Sequence, residues 1–107
     1  AYEKISETIL HHGLFFDGIL TSSDMVALGA LKALKERYIG IPSEVAIVGF
    51  DDIAMAELFH PSLTTIRQNV KKAAEVMVNQ LVLQFEGKPT QSTVIDIELI
   101  PRNSTRH

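Results

Sequence analysis

Val45-Ala-Ile-Val-Gly-Phe50 decides the fold: a nearly continuous, β-branched apolar run, set between Gly40/Pro42 and the paired acids Asp51-Asp52. A strand that alternated apolar and polar residues would have one face in water. A run with no polar break is the pattern of a parallel strand covered on both faces, and such a strand needs helices on either side of its sheet.

The flanking segments supply them. Upstream, Met25 to Tyr38 is a helix whose early apolar residues (Met25, Val26, Ala27, Leu28) cover more than one stripe, so its start is expected to be buried or in an interface. Ser22, Ser23 and Asp24 are good N-cap types ahead of it, and DGILTS at 17–22 reads as the strand before them. Farther upstream, Tyr2, Ile5 and Ile9 fall at helical spacing with Leu10 beside them. Gly13 stops that helix, which spans residues 3–12.

Downstream, a short helical stretch at 53–59 is closed by His60-Pro61, and LTTIR at 63–67 reads as the next strand. Asn69 then caps a long helix with Val70, Ala73, Ala74, Met77, Leu81 and Phe85 on one face, ending at Gly87-Lys88-Pro89. TVIDIEL at 93–99 is a last strand. Helices and strands alternate throughout, so the expected class is α/β with right-handed crossovers and a parallel sheet.

The 107 residues carry 46% hydrophobic and 21% charged side chains, enough for one compact domain over 1–107 and too few for two. A net charge of -3, with Lys32, Lys35, Arg37, Lys71 and Lys72 scattered, argues against DNA-backbone binding by this segment. The absence of cysteine removes disulfides and thiolate chemistry and fits a cytoplasmic setting. No apolar run is long enough for a membrane span. The start at Ala1 without an initiator Met suggests an excised piece.

Ligands of open parallel sheets bind beyond the carboxyl ends of the strands. Ser22-Ser23-Asp24, Asp51-Asp52 and Gln68-Asn69 follow successive strands and would share one edge. Hydroxyl and amide groups that donate and accept, beside a carboxylate that accepts twice, suit a sugar or nucleoside. Considered singly, Ser22, Ser23 and Asn69 also suit helix caps, Asp24 suits the first-turn dipole, and Asp52 could cap the next helix. An enzymatic reading would make Asp24, Asp51 and Asp52 a metal site. The DxD arrangement of doubly wound phosphatases is absent, as are phosphate-binding glycine loops, so no enzyme, metal or cofactor is expected.

SSDMVALGALKAL, GIPSEVAIVGFDD, HPSLTTIRQ and the closing PRNST, in that order and spacing, resemble the LacI/GalR family of transcription repressors across most of the chain. The resemblance implies the C-terminal part of a periplasmic-binding-protein type I effector domain, without its first lobe or its helix-turn-helix headpiece. Operator DNA would then be reached only through that headpiece. It also implies that Ser23, Asp51 and the segment Gln68 to Val70 lie at the effector, a small sugar-like molecule, and Asp24, from its place at the same strand end, is counted with the ligand contacts. The family usually has Asn where this chain has Ser23, which puts the effector's identity in question.

The same resemblance places Leu28, Met55, Leu58 and Phe59 at a homodimer contact, with packing inside the chain as the alternative. The helix at 69–86 would have lost its usual partner lobe and would seek another surface, giving a dimer or higher oligomer. The other class consistent with the fold is a periplasmic sugar-binding protein of a transporter.

Overall fold

The computed structural model describes residues 1–106. The order of elements is α1 (Tyr2–His12), β1 (Gly18–Leu20), α2 (Asp24–Lys35), β2 (Ala46–Val48), a 3-10 helix (Ala54–Leu58), β3 (Thr65–Gln68), α3 (Val70–Phe85) and β4 (Ile97–Ile100). The class is α/β, as the alternation of patterns requires. β1 and β2 are parallel, in the register Gly18–Ala46, Ile19–Ile47 and Leu20–Val48. A parallel bridge between Val48 and Thr64 sets the lead-in to β3 on the other side of β2.

The strands are shorter than their apolar runs. Within 17–22 only Gly18–Leu20 is a ladder strand, although the Thr21 amide adds one more bond, to the Val48 carbonyl. α2 ends at Lys35, and Tyr38 takes a left-handed φ of 56°. That residue, ahead of Gly40, turns the chain back toward β2. The last strand starts late, at Ile97, and runs to Ile100.

The described residues pack as two compact units, residues 1–67 with 99–106, and Gln68–Glu98. The chain passes from one to the other within β3 and returns within β4, which pair as a second two-stranded sheet.

The first unit holds the core. Ala27, Ala30, Leu31 and Leu34 recur at spacings of three and four on α2 and meet Val45 and Ile47 of the central run, with Ala56, Phe59 and Leu63 closing the cluster. Alanines on that stripe let the helix axis approach the sheet closely, so the larger Leu31 and Leu34 fill the remaining space. Ile5 and Ile9 of α1 pack against this cluster from outside.

Ser104 completes the core. Fully buried, it donates its hydroxyl to the Ile47 carbonyl (2.6 Å) and accepts from the Thr64 amide (2.8 Å). Its own backbone carbonyl accepts from Ile47 N–H (3.1 Å), and its N–H donates to Ser62 (2.8 Å). Four otherwise orphaned polar groups are thus paired by one residue.

The second unit is α3 with the segment to Glu98. Asn69 caps α3 by accepting from the Lys72 amide at 3.0 Å. Its apolar side chains lie open, and Met77 and Leu81 line a shallow groove of about 720 Å³ with Thr93 and Ile95.

Candidate functional site

The loop after β1 meets the loop after β2 through one backbone bond, from Asp24 N–H to the Phe50 carbonyl at 2.9 Å. Ser23 and Asp51 each stand one residue beyond it, so the two become neighbours at the strand ends. Asp51 N–H in turn donates to the Ile66 carbonyl at 2.9 Å, extending the same edge to β3. The polar residues that follow the central strand therefore share an edge with those that follow β1, as the crevice rule predicts.

Each acidic residue there has a different environment. Asp51 is exposed and has a φ of 113°, a backbone region that only glycine enters without strain. Asp52 follows at φ 52°. The first of these two positive-φ residues is exposed and the second half-buried. Such strain, of order 1–3 kcal/mol per residue, persists only where the surroundings over-determine it.

What holds it is the Asp52 side chain. One oxygen accepts from Arg102 Nη2 at 2.8 Å and the other from Arg67 Nε at 2.8 Å. Arg102 also donates through Nη1 to the Leu63 carbonyl at 3.0 Å. Burial pushes the Asp52 carboxyl up, but the hydrogen bonds and charges of the two arginines outweigh it and hold the group below the usual carboxylate range. Asp52 thus serves as an anchor for the loop. The alternative of a helix cap is not realised, since the 3-10 helix starts from Ile53 with no side-chain cap.

Ser23 is half-buried and caps α2, its oxygen accepting from Val26 N–H at 3.2 Å. A hydroxyl acting so still has its own proton to donate outward. Asp24, expected among the ligand contacts, lies instead in the interior: it is fully buried, with one carboxylate oxygen accepting from Thr65 Oγ1 (2.6 Å) and the other from Ile53 N–H (2.9 Å). With both oxygens committed inside the fold, it has no surface to offer a ligand. Gln68 and Val70 are exposed residues of the second unit, at the end of β3 and the first turn of α3.

The residues expected at a dimer contact divide. Leu58 is 77% exposed, Met55 53% and Leu28 37%, and Leu28 lines a largely apolar groove of about 540 Å³ with Met25 and Leu31. Phe59 is a correction: only 8% exposed, its ring packs among the core residues, so the interior claims most of its area and leaves an edge at the groove.

Three residues important to this geometry were not singled out from the sequence. Thr65 reads as one more β-branched strand residue. Arg102 lies 50 residues from the acid it clamps, and Ser104 sits 57 from the strand it pairs. The only signal was their membership of the LTTIRQ and PRNST motifs.

No group of three or more potential metal-ligating side chains occurs among the described residues, and none of their helices is long and apolar enough to cross a membrane.

Residues 3–105 match the periplasmic binding protein-like domain family. The ribose operon repressor of Halalkalibacterium halodurans is 37% identical over 106 residues, which cover 97% of this chain and 32% of that protein. A LacI family transcriptional regulator from Arthrobacter sp. FB24, solved in complex with lactose, is 30% identical, with a TM-score of 0.84 over 98% of this chain and 40% of its own. The lac repressor dimer bound to operator and the anti-inducer ONPF is 25% identical, with a TM-score of 0.87 over 97% of this chain and 32% of its own. The chain thus spans about a third of the length of these relatives, and their names are those of transcription regulators, not of enzymes or transport proteins. With the strand-end motifs in their expected order, the match over nearly its whole length shows that this chain belongs to the periplasmic-binding-protein-like effector domains of the LacI/GalR family.

Proposed function

We propose that this chain is the effector-sensing and dimerisation part of a DNA-binding transcription repressor that responds to a sugar or a closely related small molecule. The observation that carries the reading is Asp51: an exposed non-glycine residue held at φ 113°, its neighbour anchored by two arginines, and its strand end tied to the loop of Ser23 by the bond from Asp24 N–H to the Phe50 carbonyl. A carboxylate accepting from two sugar hydroxyls, with a serine donating to a third oxygen, is chemistry suited to a polyol. Gln68 and Val70 are proposed as further contacts on the family resemblance alone, while Asp24, with both carboxylate oxygens bonded inside the fold, is not counted among the groups that determine sugar affinity. No metal or cofactor takes part. Operator DNA would be bound by a separate headpiece, in the cytoplasm, and effector binding would act by changing the relative stability of two arrangements of the dimer.

Titration calorimetry of the full-length regulator against ribose, D-xylulose and lactose, with and without Asp51→Ala, tests this. One sugar should bind saturably, and the substitution should weaken it by about 2 kcal/mol, roughly thirtyfold, the worth of hydrogen bonds to a charged group. Undiminished affinity in the variant would refute the assignment of Asp51.

We further propose Leu28, which lines the apolar groove, together with the exposed Met55 and Leu58 as the homodimer face, since exposed apolar side chains including Met suit an interface core. Leu58 is the clean probe, because its side chain is exposed while that of Phe59 supports the fold. Leu58→Arg should weaken dimerisation of the full-length protein by at least about tenfold in sedimentation velocity, with its melting temperature unchanged under conditions where both proteins are monomeric. A dimer as tight as wild type would count against this face.

A further inference from the structure

Asp24 is the one acidic side chain wholly inside the first unit's core among the described residues, and contact with an effector does not explain it. Its bonds join elements that the proposed function treats separately. Its amide donates to Phe50, the residue before Asp51 (2.9 Å), and Ser23 lies one position upstream. Its carboxylate accepts from Ile53 N–H (2.9 Å), immediately before the 3-10 helix that carries Met55 and Leu58. The other oxygen accepts from Thr65 Oγ1 (2.6 Å), and the same Thr65 oxygen accepts from the Asp52 amide (3.3 Å). Asp24 is also the first residue of α2, the helix that carries Leu28.

There is no slack around it. An added Cβ on Gly49 would stand 2.2 Å from one Asp24 oxygen, so the carboxylate already fills the space against the backbone of the strand end. Close-packed groups with fixed hydrogen bonds transmit a displacement instead of absorbing it. A pull on Ser23 or Asp51 must move the Asp24 backbone, and its carboxylate then moves the start of the 3-10 helix.

We propose that Asp24, with Thr65, is the positioning pair that transmits effector binding at Ser23 and Asp51 to the association face at Leu28, Met55 and Leu58. This rests on the effector and dimer readings above and adds the route between them.

The test uses the full-length regulator and whichever of ribose, D-xylulose and lactose saturates it. Hydrogen exchange at 24–34 and 53–59 is followed with and without sugar, alongside calorimetric affinity. Asp24→Asn keeps the shape and one acceptor, but its new amide N–H must donate to the Thr65 hydroxyl, reversing that joint. Thr65→Val removes the hydroxyl, and Thr65→Ser restores it.

Wild type should change protection at 53–59 when sugar binds. Asp24→Asn and Thr65→Val should bind that sugar within about threefold of wild type, a difference under 1 kcal/mol. Their sugar-dependent change at 53–59 should fall by more than half, and Thr65→Ser should keep it. A merely structural role would lower the melting temperature of the variants and leave that response intact.

A full response in both variants would overturn the proposal, as would a wild type that binds sugar with no change at 53–59. Loss of sugar binding in both variants would overturn it as well, since Asp24 would then be shaping the site. If no sugar binds wild type, the effector reading fails first and the route falls with it.

Discussion

Gly49→Ala should cost this chain about 3 kcal/mol or more of stability, enough to leave much of it unfolded. The new methyl would stand 2.2 Å from an Asp24 oxygen and 2.8 Å from Leu63 Cδ2. Both are fully buried, and the carboxylate can retreat only by breaking its bonds to Ile53 and Thr65. The cost therefore adds an overpacking term to that of buried hydrogen-bond donors left without an acceptor. Gly40→Ala is the control. Its methyl would meet Ser43 Oγ at 1.9 Å, nearer still, yet Ser43 is exposed and its side chain can turn away. Urea unfolding followed by circular dichroism should show a large drop in midpoint for Gly49→Ala and a small one for Gly40→Ala. Equal midpoints for the two would mean that the carboxylate site is looser than its distances imply.

The second large effect belongs to Asp52. Asp52→Ala should destabilise the chain by about 2 to 3 kcal/mol at neutral pH, because it takes the carboxylate from Arg102, whose side chain is only 15% exposed. Arg67 is half in water and should contribute little of this. A pH dependence follows from the same pair. The folded-state carboxyl is held below its ordinary value, so the folded state loses its proton more readily than the unfolded one. The stabilisation is therefore complete above the unfolded value of about 4 and is lost as pH falls through the lower folded value. Wild-type stability should decline through that acid window, and Asp52→Ala should lack this component of the slope. Parallel pH profiles for the two proteins would place the anchor's energy elsewhere.

Apolar periodicity made the architecture legible. The unbroken run at 45–50 required a covered parallel strand, and the helical patterns read from Met25 and Val70 gave helices whose observed starts lie within a residue of those expected. Strand lengths were less legible, because an apolar residue beside a ladder is buried whether or not its backbone joins it. The edge holding Ser23 and Asp51 could be read from the rule for sheet crevices. The internal position of Asp24 could not, because a carboxylate at a strand end looks the same in sequence whether it turns outward or in. What decides is a hydroxyl and an amide, on Thr65 and Ile53, far along the chain. Phe59 illustrates the converse: an aromatic on a short helix suits an interface or a core, and only packing chooses between them.

The place of Ser104 in the core bears on the order in which the molecule can be made. Its partners Ile47 and Thr64 precede it by 57 and 40 residues, and all of 68–98 lies between Thr64 and the bonds it needs. During synthesis that flank of the central strand can therefore pair with Thr64 and Ile66 only beyond Val48, and the whole second unit must follow before its Ile47 groups are closed. Through that interval the nascent sheet presents a sticky edge, the period when chaperone capture or misassembly with a neighbouring chain competes with folding.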